Sequence, residues 1–519
     1  MTITPQSTRK SGIDGIVWPP VLVGDGAVLS ALVARLEETQ WLAPAALEDA
    51  QGQQLVRLAA HHARHSPSFA ARVKASGVGL SSLDHPGRLR SVEPIGRRHL
   101  QALGDGFFSA VVPEGHLPSG ETTTSGSTGE PVRVRRTAMS RLFWAAFSVR
   151  DHLWHARDFA GRMTSIRPTI PAYVEADNGG FPVADLFRTG KAQGLPSDLD
   201  IDKQLALIDR FQPETLLIFP TNLQAFVSAW EKSGAMAPGS IKHIRTVGET
   251  VSAGLRERLA KISGLGIEDS YSSQELGVIA IECLVSGLYH VMSESVIVEI
   301  LDDGNRPCRE WEVGRVVVTE LQNFASPLVR YDIGDYAEVR SLPTLRRILG
   351  RERNLLVKPD GTRHWPLVGL HRFDDVAPVL QYQVIRHSLQ DMEIKIVTTN
   401  EISSSQDALG YPSAIRVTQS RTRLPHSTGG KFEEFVSELR PPSECQGQRG
   451  SGSGARTARG RSASLERRSW ALPTTTRLTR SAFERPGGTG FAADFRQSPP
   501  AGSPSSQSAL GGHIGTRDP

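Results

Sequence analysis

The segment from Glu121 to Pro131 contains the residue types and spacing best suited to chemistry in this chain. It reads Glu-Thr-Thr-Thr-Ser-Gly-Ser-Thr-Gly-Glu-Pro and continues as Val-Arg-Val-Arg, whose alternation of apolar and polar residues predicts a strand. Glycines let backbone N–H groups approach phosphate oxygens, and the hydroxyls donate further hydrogen bonds. No Gly-Lys-Ser/Thr follows, so the segment is not a Walker loop. A flexible linker has the same composition, and the segment by itself leaves both interpretations open.

Two motifs further along the chain could bind the rest of a nucleotide. Tyr271-Ser-Ser-Gln-Glu275 offers a flat aromatic face for a purine and a carboxylate that suits Mg²⁺. Arg330-Tyr-Asp-Ile-Gly-Asp335 places an aspartate after a glycine in a tight turn, where it can accept two hydrogen bonds from a ribose diol. Taken alone, the first is also compatible with a polar surface loop and the second with a plain hairpin turn.

Two cationic motifs follow. Gly350-Arg-Glu-Arg-Asn354 contains two arginines that could clamp a phosphate or a ribose. A lysine presented by a glycine pair, in Gly-Gly-Lys431-Phe, could reach a distant anionic group. The alternatives are a charged linker for the first motif and an ordinary surface lysine at a helix start for the second.

The elements that must position these motifs alternate between helix and strand. Residues 28–75 show helical spacing that Ser66-Pro67 interrupts. Between residues 215 and 262, short apolar runs alternate with helical segments, which predicts β-α-β-α and a mostly parallel sheet. After Tyr289, strands separated by Gly/Asp turns predict antiparallel hairpins.

We therefore predict an α/β fold with three regions. Residues 1–349 form a large N-terminal domain of mostly parallel sheet and helices, with a small antiparallel β unit. Residues 350–440 form a small α+β domain that ends in a helix from Phe432 to Leu439; its mobility is implied only by the family resemblance described below. Residues 441–519 form a disordered tail, because Gly, Ser, Arg and Pro dominate and too little apolar surface is available to offset the entropy of ordering.

Composition excludes several classes of protein. The chain has 519 residues, of which 22% are charged and 39% hydrophobic, as in ordinary soluble proteins. No apolar run approaches the ~20 residues that span a bilayer, and residues 1–9 lack an apolar signal core. The three cysteines form no Cys-x-x-Cys pair, so no disulfide framework or zinc knuckle is indicated. We expect a cytoplasmic protein that does not act at a membrane.

The basic charge is concentrated in the tail. Residues 441–519 contain 11 Arg, no Lys and 5 acidic residues, a net +6, so the net charge of +4 leaves −2 for residues 1–440. We therefore expect no nucleic-acid binding by the folded part. The arginine-only tail suggests, as a hypothesis, a read-through or shifted-frame extension, which abundant native peptides ending near Pro519 would contradict.

The order of the five motifs resembles the adenylate-forming superfamily, and more narrowly its phenylacetate–CoA ligase-like, capsule-biosynthesis-associated branch. The order is a hydroxyl/Gly loop, then Tyr…Glu, Gly-Asp, Gly-Arg and Gly-Gly-Lys. The resemblance covers most of residues 50–440 and includes Leu55–Gly77, where His65-Ser-Pro-Ser-Phe69 and Arg72 are similar to that branch. It favours the phosphate-binding interpretation of the loop over the linker.

The resemblance implies a role for each motif. The residues that would hold the ATP phosphates are Thr124, Ser125, Gly126, Ser127, Thr128 and Gly129. Tyr271 would lie near adenine and Asp335 would bind the ribose hydroxyls. Glu275 would be the Mg²⁺ ligand, and Lys431 would be the lysine used for adenylation.

Two further motifs complete the implied site. Gly248 and Glu249 would line the acyl and nucleotide pockets. Arg351 belongs to the Gly-Arg motif, and the hinge of a domain rotation would fall on Arg353, where the family more often has Asp or Lys.

The chain departs from the family's pattern at other positions. Arg133 stands where the family has a lysine after the loop, and Gln274 replaces a Ser or Thr that contacts phosphate. Several relatives bind zinc through a Cys, a His and a later Cys-x-Cys. Cys283 and His290 match the first two ligands, but no cysteine follows between Val339 and Gly350. Two ligands cannot close a tetrahedral site, so we predict no zinc.

The resemblance implies that the protein activates a carboxylic acid, aryl or arylacetic, with ATP and Mg²⁺ and forms a thioester with coenzyme A. One alternative is a synthetase that adenylates a cofactor or loads a carrier without CoA. A catalytically weak scaffold or binding homologue is an alternative of another class. The expected partner is a small-molecule carboxylate, and the expected assembly is a monomer or homodimer. Aromatic candidates for the acid pocket, or for the core, are Phe143, Trp144, Phe147, Phe219 and Phe226.

Overall fold

The computed structural model describes residues 9–16, 19–124, 131–341, 343–351, 356–357, 363–364, 379–388, 391–398, 414–420 and 435–437. All of these lie within the unit Met1–Glu444. The predicted tail, residues 441–519, lies outside them. The predicted boundary after residue 349 stays a prediction.

Helices occupy the N-terminal region that the sequence predicts to be helical. The α-helices of all the described residues are α1 Gly24–Thr39, α2 Pro44–His65, α3 Pro67–Ser76, α4 Arg97–Leu103, α5 Ala138–Trp154, α6 Ile201–Phe211, α7 Pro220–Ser233 and α8 Ala253–Ser263. Ser66 separates α2 from α3 as predicted: its hydroxyl accepts a hydrogen bond from the Phe69 N–H at 3.4 Å. Pro67 opens α3, where its missing N–H costs nothing. Within the described ranges, no helix combines the length and apolarity that crossing a bilayer requires.

The strands of the described residues form one large sheet and three small ones. They are β1 Ile95–Gly96, β2 Ser119–Thr124, β3 Val132–Thr137, β4 Met163–Arg167, β5 Val174–Ala176, β6 Ala192–Pro196, β7 Thr215–Ile218, β8 His243–Val247, β9 Ile267–Ser273, β10 Gly277–Glu282, β11 Tyr289–Val291, β12 Val296–Leu301, β13 Val313–Glu320, β14 Tyr331–Ser341, β15 Thr344–Arg351, β16 Leu356–Val357, β17 Arg363–His364, β18 Val379–Arg386, β19 Asp391–Thr398, β20 Ala414–Ser420 and β21 Phe435–Ser437. The large sheet has the order β12-β13-β14-β15-β11-β10-β9-β8-β7-β4-β6-β5, with β1 paired to β14.

One half of the large sheet is parallel. Strands β6, β4, β7, β8 and β9 pair in parallel, and α6, α7 and α8 connect them in turn. Residues Ile166, Ile218, Ile244 and Ile267 from four of these strands pack with the helices into one apolar core. The β-α-β-α alternation predicted for residues 215–262 is confirmed. Because the carboxyl ends of parallel strands meet at one edge, side chains following β4, β7, β8 and β9 lie close together.

The other half of the large sheet is antiparallel. β9 pairs antiparallel with β10, and antiparallel pairing continues through β11, β15, β14, β13 and β12. The hairpins predicted after Tyr289 are confirmed, and they extend the parallel strands into a single sheet. A residue period of two identifies a strand but does not say which sheet edge it joins, so this continuity could not be predicted.

A separate four-stranded sheet has the order β20-β19-β18-β21. In it, β21 runs parallel to β18, with Phe435 opposite Val384. The helix predicted from Phe432 to Leu439 is therefore wrong at residues 435–437, the part of it that the structure describes. Three residues are compatible with the period of a helix and with that of a strand. Pairing with the edge of β18 supplies hydrogen-bond partners for their backbone groups.

His62 is buried on α2 with both ring nitrogens engaged. Nδ1 lies 2.8 Å from Ser109 Oγ, and Nε2 lies 3.1 Å from the carbonyl oxygen of Asn323. Because a carbonyl only accepts, we assign the proton to Nε2, and Nδ1 then accepts from the Ser109 hydroxyl. Burial, helped by the neighbouring His61, lowers the pKa of His62 to about 3.

This lowered pKa predicts a pH-dependent stability. The unfolded chain gains a proton on His62 below a pH of about 6.5, whereas the folded protein resists it down to about 3. The free energy of unfolding should fall as pH drops through this window, by at most about 1.4 kcal/mol per pH unit. His62→Gln keeps a donor for the Asn323 carbonyl and should show a weaker pH dependence in urea unfolding between pH 7 and 5. Unchanged pH dependence in this variant, with His85→Gln at a half-buried surface residue as control, would contradict the assignment.

Candidate active site

Tyr271 and Asp335, from two of the predicted nucleotide motifs, are in direct contact. The Tyr271 hydroxyl, near the end of β9, donates to the Asp335 carboxylate, with Oη and Oδ2 2.8 Å apart. Asp335 follows Gly334, whose φ of +81° is readily adopted only by glycine. It also lies opposite Arg351 in the pairing of β14 with β15. The predicted adenine, ribose and Gly-Arg positions therefore meet at one place in the large sheet.

Glu275, the predicted Mg²⁺ ligand, is buried in the turn between β9 and β10. Its Oε1 lies 3.6 Å from Nη1 of Arg97, in the first turn of α4. Its backbone carbonyl accepts a hydrogen bond from Arg136, which also donates to the Leu276 carbonyl at 3.2 Å. A carboxylate oxygen fits a Mg²⁺ ion that takes its other ligands from phosphate oxygens and water. Gln274, the preceding residue, is exposed.

Arg136 connects the predicted phosphate loop to this turn. It lies in β3, the strand that follows the loop, and its Nη1 is 3.2 Å from Oε1 of the buried Glu320. Burial raises the pKa of Glu320, and the Arg136 charge opposes that rise. The guanidinium thus ties the hairpin to the backbone beside Glu275.

The sequence analysis did not identify Arg97 or Arg136. Each carried a signal that could have marked it. Arg136 breaks the alternation of Val-Arg-Val-Arg, since a second arginine follows directly. Arg97 is a cation in the first turn of a helix, where the helix dipole disfavours positive charge.

The predicted phosphate loop joins β2 to β3. Thr124 pairs with Val132 at the end of this hairpin, which confirms the strand predicted for Val-Arg-Val-Arg. The other predicted loop residues lie outside the described ranges: Ser125, Gly126, Ser127, Thr128 and Gly129. Arg133, which stands at the family's lysine position, lies 2.7 Å from Asp105 Oδ1 and 3.3 Å from Glu121 Oε1. Its guanidinium is thus already engaged by two carboxylates.

Gly248 and Glu249 form the turn after β8, at the carboxyl edge of the parallel strands. Gly248 has a φ of +81°. Glu249 Oε2 accepts hydrogen bonds from the Thr221 N–H at 3.1 Å and the Thr221 hydroxyl at 2.9 Å. A carboxylate is favourable at this position because the first turn of α7 presents free N–H groups and the positive end of the helix dipole. Glu249 therefore joins the connections that follow β7 and β8.

Several predicted features remain predictions. Lys431 and Arg353 lie outside the described ranges, and of Arg351 only the backbone is described. Cys283 follows β10, and His290 lies in β11. In the described part of the chain, no cluster of three or more His, Cys, Asp or Glu residues could hold a metal ion; the absence of zinc stays a prediction.

Most of the aromatic candidates pack in the core. Phe147 and Phe226 are fully buried in two apolar cores, and Phe143 packs against the first of these. Trp144 is 40% exposed and stacks on Phe181 with ring centroids 5.9 Å apart. Phe219 is different, because it belongs to a small apolar cluster at the carboxyl edge of the parallel strands.

Comparison with known proteins identifies chains that are similar to this one in sequence or in fold. No family model matches the chain. The chain is 23% identical over 320 residues to the phenylacetate-coenzyme A ligase of Aromatoleum evansii. The matched region covers 57% of this chain and 68% of that protein. A solved structure of 2-hydroxyisobutyryl-CoA ligase in complex with 2-HIB-AMP has a TM-score of 0.57 at 14% identity and covers 76% of this chain and 90% of that chain. The complex of that ligase with R3-HIB-AMP gives the same TM-score, 0.57.

The chain therefore has the fold of the adenylate-forming ligases. The predicted α/β fold class is confirmed. The resemblance to the phenylacetate–CoA ligase-like branch, predicted from the order of the motifs, is confirmed as well.

Proposed function

We propose that this protein is an adenylate-forming acid–thiol ligase. It activates a carboxylic acid, aryl or arylacetic, with ATP and transfers the acyl group to coenzyme A. The contact between Tyr271 and Asp335 carries the proposal, because residues 64 positions apart in the sequence meet as the adenine and ribose motifs would require. The hydrogen bond from Tyr271 orients the Asp335 carboxylate, the acceptor group that a ribose diol would need.

The first step forms an acyl-adenylate. A carboxylate oxygen of the acid attacks the α-phosphorus of ATP, and pyrophosphate leaves with the electrons of the broken P–O bond. The chain contributes alignment and charge stabilisation. Tyr271 and Asp335 hold the nucleoside, the loop from Thr124 to Gly129 holds the β- and γ-phosphates, and Lys431 supports the growing negative charge. Glu275 would hold Mg²⁺, which would supply positive charge to offset that of the phosphates.

The second step forms the thioester. The sulfur of coenzyme A attacks the acyl carbonyl carbon, and AMP leaves. Lys431 must be withdrawn for this step, so residues 350–440 rotate between the two reactions about a hinge at Arg353, a gating motion. Cys283 and Cys308 are free thiols, which supports the expected reducing, cytoplasmic location. We expect a monomer or homodimer that requires no nucleic acid or membrane.

Acid-dependent ATP–pyrophosphate exchange tests this proposal. Aryl, arylacetic and aliphatic acids are screened separately, and we expect exchange with at least one aryl or arylacetic acid. Adding coenzyme A and measuring AMP and acyl-CoA then separates a ligase from a synthetase that does not use CoA. ATP binding without exchange for any acid would support a binding homologue and overturn the proposal.

A further inference from the structure

The guanidinium of Arg136 contacts the backbone of the turn that carries Glu275. It donates hydrogen bonds to the carbonyl oxygens of two consecutive residues, Glu275 and Leu276, the second at 3.2 Å. Arg136 and Glu275 are 139 positions apart in the sequence. A guanidinium has five N–H donors in a fixed plane, so one side chain can hold two neighbouring carbonyls at once. The orientation of the peptide groups beside Glu275 therefore depends on a side chain from β3.

The turn and the guanidinium are packed against each other. A Cβ atom placed on Gly277, the first residue of β10, would lie 3.4 Å from Nη2 of Arg136. Within the turn, the Leu276 N–H donates to Ser273 Oγ at 3.1 Å. The Glu275 side chain is thus attached to a backbone that is held both from within the turn and by Arg136.

The charge of Arg136 is balanced by a different carboxylate, that of Glu320. Nη1 of Arg136 lies 3.2 Å from Oε1 of Glu320, whose side chain is only 2% exposed. Asn323 donates to Oε2 of Glu320 at 3.2 Å, and the Ser140 hydroxyl donates a further hydrogen bond. Because Glu320 neutralises the guanidinium, Arg136 binds the turn through neutral carbonyls. Its charge is not required to pair with the Glu275 carboxylate.

The strand that carries Arg136 is fixed to the same part of the fold. The Arg135 N–H donates to Ser326 Oγ at 2.9 Å. The Arg135 carbonyl accepts hydrogen bonds from Ser326 Oγ at 3.0 Å and from Asn323 Nδ2 at 2.9 Å. This strand, β3, also forms one side of the hairpin that bears the predicted phosphate loop. The hairpin and the Glu275 turn are therefore connected through Arg136.

We propose that Arg136 is a positioning residue for adenylation. It holds the backbone of the Glu275 turn, so that the Glu275 carboxylate keeps the orientation in which it would bind Mg²⁺, and it fixes this turn relative to the hairpin of the phosphate loop. Groups that orient a metal ligand from outside the coordination sphere change metal affinity or activity by about 10- to 100-fold. The role of Arg136 rests on the proposed ligase function, to which it adds a positioning residue.

The test separates positioning from the loss of a buried charge pair. Arg136→Met alone leaves Glu320 buried without its cation, which should lower the midpoint of urea unfolding. Adding Glu320→Gln removes that charge and keeps an acceptor for Asn323, so the double variant should regain most of the wild-type midpoint. Its ATP–pyrophosphate exchange should remain lower than wild type by about tenfold or more, because the turn carbonyls have still lost their donors.

ATP binding gives a readout that does not depend on catalysis. Calorimetry measures the ATP affinity of each protein with Mg²⁺ and with EDTA. We expect Mg²⁺ to strengthen ATP binding to the wild type, and the double variant to reduce that gain by about tenfold while its affinity in EDTA stays close to wild type. Arg136→Lys keeps a charge beside Glu320 but loses the planar donors. It should remain folded and lose part of the Mg²⁺ gain.

The neighbouring arginine in the same strand provides a matched control. The Arg135 guanidinium lies over the Phe108 ring, 4.2 Å from its centroid, and 3.8 Å from a carboxylate oxygen of Glu121. Arg135→Met therefore removes a cation from β3 without removing a donor to the Glu275 turn. It should leave exchange and the Mg²⁺ gain unchanged.

The outcomes distinguish this role from the ligase function. If exchange recovers together with stability in the double variant, Arg136 is a structural residue and the proposal is overturned. An equal Mg²⁺ gain in wild type and in the double variant or Arg136→Lys would overturn it as well. With exchange present in wild type, these results leave the ligase function standing. Exchange with no acid in wild type, beside a Mg²⁺ gain that depends on Arg136, would overturn the ligase function and support the positioning role.

Discussion

Lys431→Ala is expected to lower ATP–pyrophosphate exchange by ~10²-fold or more, the scale for removal of one preorganised electrostatic group in an active site. Negative charge grows on the transferring phosphate while the acid attacks, and a lysine ammonium placed there stabilises the transition state more than the bound ATP. The loss should therefore appear mainly in kcat. The measurement is exchange at saturating ATP with the best acid of the screen.

A second reaction shows whether Lys431 acts in adenylation alone. Acyl-adenylate supplied to the protein with coenzyme A needs only the second step, so Lys431→Ala should form thioester from it at close to the wild-type rate. Lys395→Ala, in β19 of the separate four-stranded sheet, is the matched control and should retain exchange. Full exchange in Lys431→Ala would refute the assignment of this residue. Equal loss of both steps would point to damage to the fold.

Glu275→Gln is expected to lower exchange by about 10²-fold, because it removes the proposed Mg²⁺ ligand while keeping the size of the side chain. The substitution also leaves Arg97 without its carboxylate partner at 3.6 Å. The positive charge of Arg97 is retained in the site, so ATP affinity should fall less than exchange. Measuring ATP binding by calorimetry beside exchange separates the two effects.

The Mg²⁺ dependence gives the sharper readout for Glu275. If Glu275 holds the ion, the variant should need a higher Mg²⁺ concentration for half-maximal exchange. Glu312→Gln, a surface carboxylate, serves as control and should behave like wild type. An unchanged Mg²⁺ requirement in Glu275→Gln would contradict the assignment of Glu275 as the Mg²⁺ ligand, even if the exchange rate falls.

The sequence predicted the elements whose signal is local. Helical spacing and the Ser66-Pro67 break predicted α2 and α3, because capping and the fixed φ of proline act within a few residues. The β-α-β-α alternation predicted the parallel strands, because the period of each strand and helix is also a signal within a few residues. The segment at residues 435–437 was predicted wrongly as helix, since three residues carry too little periodicity and the edge of β18 decides their conformation.

The candidate site likewise combines residues that the sequence identifies with contacts that only the fold creates. The residue types and their order along the chain were sufficient to propose a nucleotide site with Tyr271, Glu275 and Asp335, because each motif carries its own donors and acceptors. That the Tyr271 hydroxyl contacts the Asp335 carboxylate depends on two strands that lie far apart in the sequence. The ion pairs of Arg97 with Glu275 and of Arg136 with Glu320 likewise join residues that lie far apart in the sequence.

What only the tertiary structure decided is which charges have partners. Arginines look alike in a sequence, yet Arg157 and Arg245 are neutralised by buried carboxylates, whereas Arg133 is engaged by two carboxylates near the surface. Pairing depends on which strands are neighbours in the sheet, and burial sets the cost of a missing partner. The sequence by itself determined the order of the nucleotide motifs, because each motif carries its own donors and acceptors, and the fold determined which of their side chains are in contact.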